Sequence, residues 1–258
     1  MPPNAEAAVL IERRGSVALV RLNRPAALNA VDARLRAELT AAMGELAADA
    51  GVTAAVIAGV GERAFCAGQD LHEAMQLALG EVEGWLERQH AMYQSVRDFD
   101  KPIVAAFNGV TAGAGFQIGL CCDLRIGYAE LKIGQPEIRA GLASIVGTYL
   151  MTLQLPLSLN QQLSLGGELL SGERAHQVGL LNRLVVQSAV VDTSLELARE
   201  LSQLPAAAYA ATKQRLRELS QPGFDEALVA AKCAQKALYE SGVPQRVMQE
   251  FFDRKKKS

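Results

Sequence analysis

The sequence predicts an α/β layer fold that gives way to helices in its last third. Short apolar runs alternate with amphipathic helical stretches as far as about Tyr128, and strand signals fade after about Gly147. The composition is that of an ordinary globular chain: 258 residues, 50% hydrophobic, 21% charged, with a net charge of −2. A chain of this length buries roughly three quarters of the surface it exposes when unfolded. A net charge of −2 with 5% aromatic residues argues against nucleic acid as a partner, and nothing draws the chain to an anionic membrane. No apolar run reaches the ~18 residues that a membrane span requires.

The elements follow in order. "AAVLIERRGSVALVRLNRP" holds two apolar runs around Arg14-Gly15-Ser16, the pattern of a β-hairpin, and Pro25 ends it. From Asp32, a plausible N-cap, Leu35, Leu39, Ala42, Met43 and Leu46 fall on one helical stripe. "TAAVIAGV" is a buried strand, "EVEGWLERQHAMYQSVRDF" a helix, "PIVAAFNG" a second buried strand, "AGFQIGLCC" a short helix and "DLRIGY" a further strand. Helical segments then dominate from "GTYLMTLQL" to "PQRVMQEFFDRK". Pro205 and Pro222-Gly223 mark where terminal helices detach from the core, and "RKKKS" is a solvated, frayed end.

Four cysteines, Cys66, Cys121, Cys122 and Cys233, include an adjacent pair and lack CxxC spacing. With no secretory leader in evidence, they argue against a disulfide framework or a zinc site and read as small buried hydrophobes in a reducing cytoplasm. "GVGERA" fits the dinucleotide pattern GxGxxA after a strand, yet the next residues, "FCAGQD", are more loop than helix, and the acids at the required distance, Glu81 and Glu83, sit on a helix. Dinucleotide binding is therefore not expected. In "AFCAGQDLHEA" small residues let a backbone amide face a ligand, and Asp70 can cap a helix starting at Leu71. "NGVTAGAGFQIG" repeats the device, with Gly113, Ala114 and Gly115 baring the first turn of a helix. Two exposed amides from separate loops are what an oxyanion hole needs.

"LNRPAALNA", "AFCAGQD", "KPIVAAFNGVTAGAG", "CDLRIG" and "GQPEIRAGL" stand in an order and spacing that resembles the enoyl-CoA hydratase/isomerase family, the crotonase superfamily. The likeness runs from about Val9 to the C-terminus. It implies a spiral of ββα units over residues 1–200 and a helical region over 201–258 that assembles trimers, often paired into hexamers. It also implies an acyl-CoA thioester as substrate, CoA being part of that substrate rather than a cofactor, and no metal. The thioester carbonyl would be held by the N–H groups of Ala67 and Ala114, which stabilise an enolate-like oxygen. The nucleotide part would lie against Arg24 and the loop from Ala64 through Gln69 and Asp70 to Leu71. A basic residue of the "DRKKK" tail would approach a phosphate on a neighbouring subunit's ligand, the alternative being a solvated terminus.

Hydratases of this family carry two glutamates. One matches Glu137; the other falls on Gln117, which cannot exchange a proton near neutral pH. Since a positioned acid or base contributes ~10²–10⁴-fold, two-carboxylate hydration should be impaired, whereas a one-base reaction is not. Relatives with a single acid at Glu137 include enoyl-CoA isomerases and hydroxycinnamoyl-CoA hydratase-lyases. The lyases also use a C-terminal tyrosine, for which "VAAKCAQ" offers none. The resemblance thus favours isomerisation, with hydration by Glu137 and a Gln117-held water as the alternative.

His90 stands where 4-chlorobenzoyl-CoA dehalogenases carry a catalytic histidine, but their nucleophilic aspartate would fall near Ile145 and their tryptophan on Glu137. His90 is either a second acid/base or hydrogen-bond donor in the acyl pocket, as in a decarboxylase or C–C hydrolase, or a histidine on a packing or exposed face. His72 and His176 read as structural or exposed. Ser144 and Ile145 replace the family's usual proline and small residue, which implies a non-standard acyl pocket. A non-catalytic CoA-ester binding protein is the reading from a different class, and it has no need of a carboxylate at Glu137.

Overall fold

The computed structural model describes residues 7–257, with side chains as far as Arg254. Strand β1 (Val9–Arg14) and β2 (Val17–Leu22) form the expected hairpin, with Val9 opposite Leu22 and Arg14 opposite Val17. Its two-residue turn places Gly15 at φ +69°, where a side chain would be strained. Helix α1 (Ala33–Ala48) is capped by Asp32, whose carboxylate accepts from Leu35 N at 2.8 Å. The five residues of its apolar stripe are buried, joined by Arg36, which is 2% exposed and paired with Glu73.

A repeated unit then appears. Strand β3 (Ala54–Gly59) leads into β4 (Ala64–Cys66) and helices α2 (Leu71–Gln76) and α3 (Val82–Arg97). Strand β5 (Ile103–Ala106) leads into β6 (Val110–Ala112) and α4 (Ala114–Cys121). Strand β7 (Leu124–Gly127) leads into β8 (Lys132–Gly134), a 3-10 turn at Pro136–Ala140 and α5 (Ile145–Thr152). The first strand of each unit joins one sheet and the second joins another. Helix α6 (Leu157–Gly166), β9 (Leu169–Ser171), α7 (Gly172–Gln177), β10 (Arg183–Leu184) and α8 (Val190–Ser202) complete the sheets and cover them. The six-stranded sheet runs β1-β2-β3-β5-β7-β10 and is parallel except at β1; the four-stranded sheet runs β4-β6-β8-β9 and is parallel except at β9. Each unit thus steps from sheet to sheet and returns through a helix, which is the expected spiral.

Helix α9 (Ala206–Glu240) packs along α3 and α5, and α10 (Val243–Lys257) packs on α2. Pro205 does precede α9, but Pro222 lies inside it rather than at a break. A proline there removes an N–H and crowds the preceding turn. Tyr149 packs there: its hydroxyl donates to Ser220 O at 2.6 Å, and its ring lies where a Cβ on Gly223 would stand. Cys233 departs from expectation too, being exposed, while the other three cysteines are buried and all four are free. Among the described residues no helix is long and apolar enough to cross a membrane.

Candidate active site

Three neighbouring parallel strands of the small sheet end at one place. After β4 come Ala67, Gly68 and Gln69; after β6, Gly113 and Ala114; after β8, Gln135, Pro136 and Glu137. The carboxyl ends of parallel strands are where α/β folds present loops to ligands. Close approach of these loops depends on missing side chains. A Cβ on Gly115 would lie 2.4 Å from Cys66 O, and one on Gly113, at φ +50°, would lie 3.3 Å from Glu137 Oε1.

Glu137 is the acid at this junction. Gln117 Nε2 donates to its Oε1 at 2.6 Å, and Gln135 Nε2 donates to Oε2. Gln135 is fully buried, and Gly147 leaves the space its amide occupies. Burial pushes the Glu137 carboxyl up to about 7, against the opposing pull of Ser144, Gln135 and Gln117. Ser144 Oγ lies close enough to contribute to that pull but makes no well-formed hydrogen bond. A carboxyl group in this state can release and recover a proton near neutral pH without a second acid.

The two expected oxyanion amides differ. Ala114, first residue of α4, has an N–H with no acceptor among the described residues, as the start of a helix dictates. The Ala67 N–H instead donates to Leu28 O at 3.0 Å. Leu28 and Asn29 both hold positive φ, 53° and 56°. Asn29 fixes that loop through Arg24 N at 2.9 Å and Ala64 O at 2.8 Å. Ala67 is therefore not the free donor the sequence suggests, and a ligand oxygen reaches it only by sharing or displacing the bond to Leu28.

The residues expected around the nucleotide separate. Arg24 is engaged within the protein, by Asp70 at 2.9 Å, Asp32 at 3.1 Å and Ala30 O at 2.5 Å, so it braces the loop rather than offering a free cation. Asp70 also caps α2, accepting from His72 N and Glu73 N, and the Arg24 contacts hold its carboxyl below the usual range despite burial. Ala64 is buried in β4 and lines neither cavity at the site. Gln69 and Leu71 do line the outer cleft, which Met248 and Phe251 of α10 border from the other side. The basic run at 255–257 lies outside the described side chains.

Two cavities meet at Glu137. The outer one, with about 270 Å³ open, runs past Ala67, Gly68 and Gly113. The inner one is tight, with about 40 Å³ open, and passes Gln117 to reach α3. His90 lines the inner cavity, stacked on Phe224 with ring centroids 4.2 Å apart and 3.7 Å from the Asp225 carboxylate. Burial lowers its pKa, with Asp225 opposing the shift, so the ring is neutral at neutral pH. The remaining histidines stand apart: His72 is exposed and stacks on Phe252, and His176 Nδ1 meets Leu181 O at 2.9 Å.

Sequence reasoning missed Gln135 and the inner face of α3, Trp85, Gln89 and Tyr93. The signal was present: Gln89 falls on the apolar stripe of Val82, Trp85, Leu86, Tyr93 and Val96, and a polar residue on such a stripe marks a site.

Strand ends converging on one buried carboxyl define an α/β enzyme with its chemistry at the sheet edge. The sequence profile described as "Enoyl-CoA hydratase/isomerase" matches residues 12–258. The short-chain-enoyl-CoA hydratase of Clostridium acetobutylicum is 28% identical over 96% of this chain and 95% of its own. The (E)-benzylidenesuccinyl-CoA hydratase of Thauera aromatica is 33% identical over 80% of each. The crystal structure of an enoyl-CoA hydratase/isomerase from Xanthobacter autotrophicus Py2 superimposes with a TM-score of 0.87 at 27% identity, covering 98% of this chain and 94% of that one. The chain belongs to the enoyl-CoA hydratase/isomerase family, and it is an acyl-CoA enzyme of that family.

Proposed function

We propose that this enzyme moves a proton along an unsaturated acyl-CoA thioester, with Glu137 as the one acid/base and the Ala114 N–H as the standing oxyanion donor. The observation that carries the reading is the pairing of a carboxyl lifted to about 7 with an amide, Gln117, 2.6 Å away. In a 3-enoyl thioester, the Glu137 carboxylate takes a proton from C2, and the electron pair spreads over a dienolate whose oxygen meets the amide. The same proton returns to C4 as the double bond settles between C2 and C3. One group serves for both transfers, and no electron leaves or enters. Ala67 N–H joins the oxyanion site if the thioester oxygen displaces Leu28 O.

A second reading is hydration, which the hydratase names of the relatives favour. There Glu137 takes a proton from a water held by Gln117, the water oxygen bonds C3, and the proton passes to C2. The two readings separate on 3-hexenoyl-CoA, crotonyl-CoA and cinnamoyl-CoA followed by mass and ultraviolet absorbance. Conjugation of 3-hexenoyl-CoA without mass gain supports isomerisation. Gain of one water on the conjugated esters, with 3-hexenoyl-CoA untouched, rejects it.

The proposed assembly is a homotrimer or a pair of trimers, with the nucleotide end of CoA at the outer cleft. Leu216 and Leu219, both exposed on α9, support contacts between copies. Light scattering after size exclusion tests it, and a monomer at working concentration rejects it.

A further inference from the structure

Buried polar side-chain atoms in folded proteins almost always have hydrogen-bond partners. Nine such atoms among the described residues have none, and four of them, Trp85 Nε1, Gln89 Oε1, His90 Nε2 and Ser144 Oγ, belong to residues lining the inner cavity. Ser144 lies against the Glu137 carboxyl and His90 Nε2 stands 3.7 Å from Asp225, so the proton transfer leaves Trp85 Nε1 and Gln89 Oε1 unaccounted for. Trp85 and Gln89 lie four residues apart on one face of α3, 3% and 7% exposed, and Ser144 stands at the start of α5. The other end of the Gln89 amide is committed to the Tyr93 hydroxyl, which fixes the free oxygen as the acceptor. Gln235, also on the cavity wall, is already spent on the Ala143 backbone.

The chemistry of three of these atoms narrows their ligand. The indole N–H only donates, the Gln89 oxygen only accepts, and the serine hydroxyl does either. No lysine or arginine lines this cavity, and Glu137 stands in its wall. An anionic acyl tail would be buried beside that carboxyl at high cost, because the nearby Arg36, over the Trp85 ring, is already paired with Glu73. A neutral hydroxyl is the smallest acyl substituent that both donates to Gln89 Oε1 and accepts from Trp85 Nε1. We propose that the inner cavity selects acyl-CoA thioesters whose acyl group carries a neutral hydroxyl beyond the reacting carbons, bound by Trp85, Gln89 and the adjoining His90 and Ser144. This rests on the acyl-CoA reading above and adds the substrate class to it.

The test uses saturated thioesters, which bind without reacting. Calorimetry on the intact protein compares hexanoyl-CoA with 6-hydroxyhexanoyl-CoA and adipoyl-CoA, and 3-phenylpropanoyl-CoA with its 4-hydroxyphenyl counterpart. In at least one pair the hydroxylated ester should bind about tenfold or more tightly than the plain one, because the plain one leaves buried partners unmet. Adipoyl-CoA should bind more weakly than 6-hydroxyhexanoyl-CoA. In Trp85→Phe and, independently, Gln89→Leu the ratio of hydroxylated to plain affinity should fall towards one. Plain esters that bind as well as hydroxylated ones in both pairs overturn this proposal alone and leave the cavity atoms to water. Tighter adipoyl-CoA binding overturns the neutral-group argument, and an unchanged ratio in both variants overturns the assignment to α3. Failure of every acyl-CoA to bind overturns the acyl-CoA reading itself, and this proposal with it.

Discussion

Replacing Glu137 with Gln should inactivate the enzyme and flatten the dependence of its stability on pH. The native carboxyl is raised from an ordinary 4.5 to about 7 because burial penalises its charge. The folded state therefore binds this proton more tightly than the unfolded chain does. The contribution to stability is full below about 4.5 and is lost as pH rises through about 7, a total of about 3 kcal/mol. Between about pH 5 and about pH 8 the parent protein should lose about 2.5 kcal/mol that Glu137→Gln retains. At this chain length that difference appears as roughly 5–10 °C in the relative midpoint of thermal unfolding. The difference in slope is the informative quantity. The new amide cannot accept from both Gln117 and Gln135 as the carboxylate does, so a pH-independent offset is superimposed. Turnover in the same variant should fall by about 10²–10⁴-fold. Parallel stability curves for parent and variant would refute the raised carboxyl, and with it the argument that one group can both take and return a proton at neutral pH.

The other predictions concern the neighbours of that group. Gln117→Glu places a second carboxyl 2.6 Å from Glu137 Oε1, where two charges would repel by about 6 kcal/mol at an effective dielectric constant of about 20. The pair therefore keeps one proton above neutral pH, and water addition to crotonyl-CoA, followed by mass, should rise by about tenfold or more. Asp70→Ala removes the α2 cap and the partner of Arg24 together, and urea unfolding should show a loss of about 2 kcal/mol. Gly115→Ala forces a Cβ to within 2.4 Å of Cys66 O, and a loss of about 1–3 kcal/mol in thermal unfolding should accompany reduced kcat.

How far each element could be read from the sequence depends on the length of its repeating signal. Helix α1 showed itself through a stripe sustained over three turns and an N-cap, yet Arg36 on that stripe was invisible because its burial depends on Glu73, 37 residues away. Strands β4, β6, β8 and β9 have three residues each, too few for a period of two to register. The first three are nonetheless the strands that carry the site. Pro222 reads locally as a stop, yet α9 continues through it. Glu137 and Gln117 were legible from their motifs, and their mutual hydrogen bond fits the missing second acid. The occupied state of Ala67 was not, because it depends on the backbone torsions of Leu28 and Asn29 in a distant loop.

The two glutamines change how Glu137 can work. A second carboxyl at this distance would couple the two protons, so that neither group would titrate alone. Amides carry no titratable charge in this range; they donate to the ionised carboxylate and rotate to accept from the neutral acid. Gln117 and Gln135 can thus meet either state of Glu137 without another proton moving, while burial keeps the two states close in free energy near neutral pH. The arrangement suits a reaction in which one proton leaves carbon and returns to carbon. It suits water addition less well, because the attacking water must compete with two amides for the same pair of carboxylate oxygens. The proposal of isomerisation therefore draws on Gln135 as well as on the acid missing at Gln117, and the product mass from 3-hexenoyl-CoA and crotonyl-CoA decides between it and hydration.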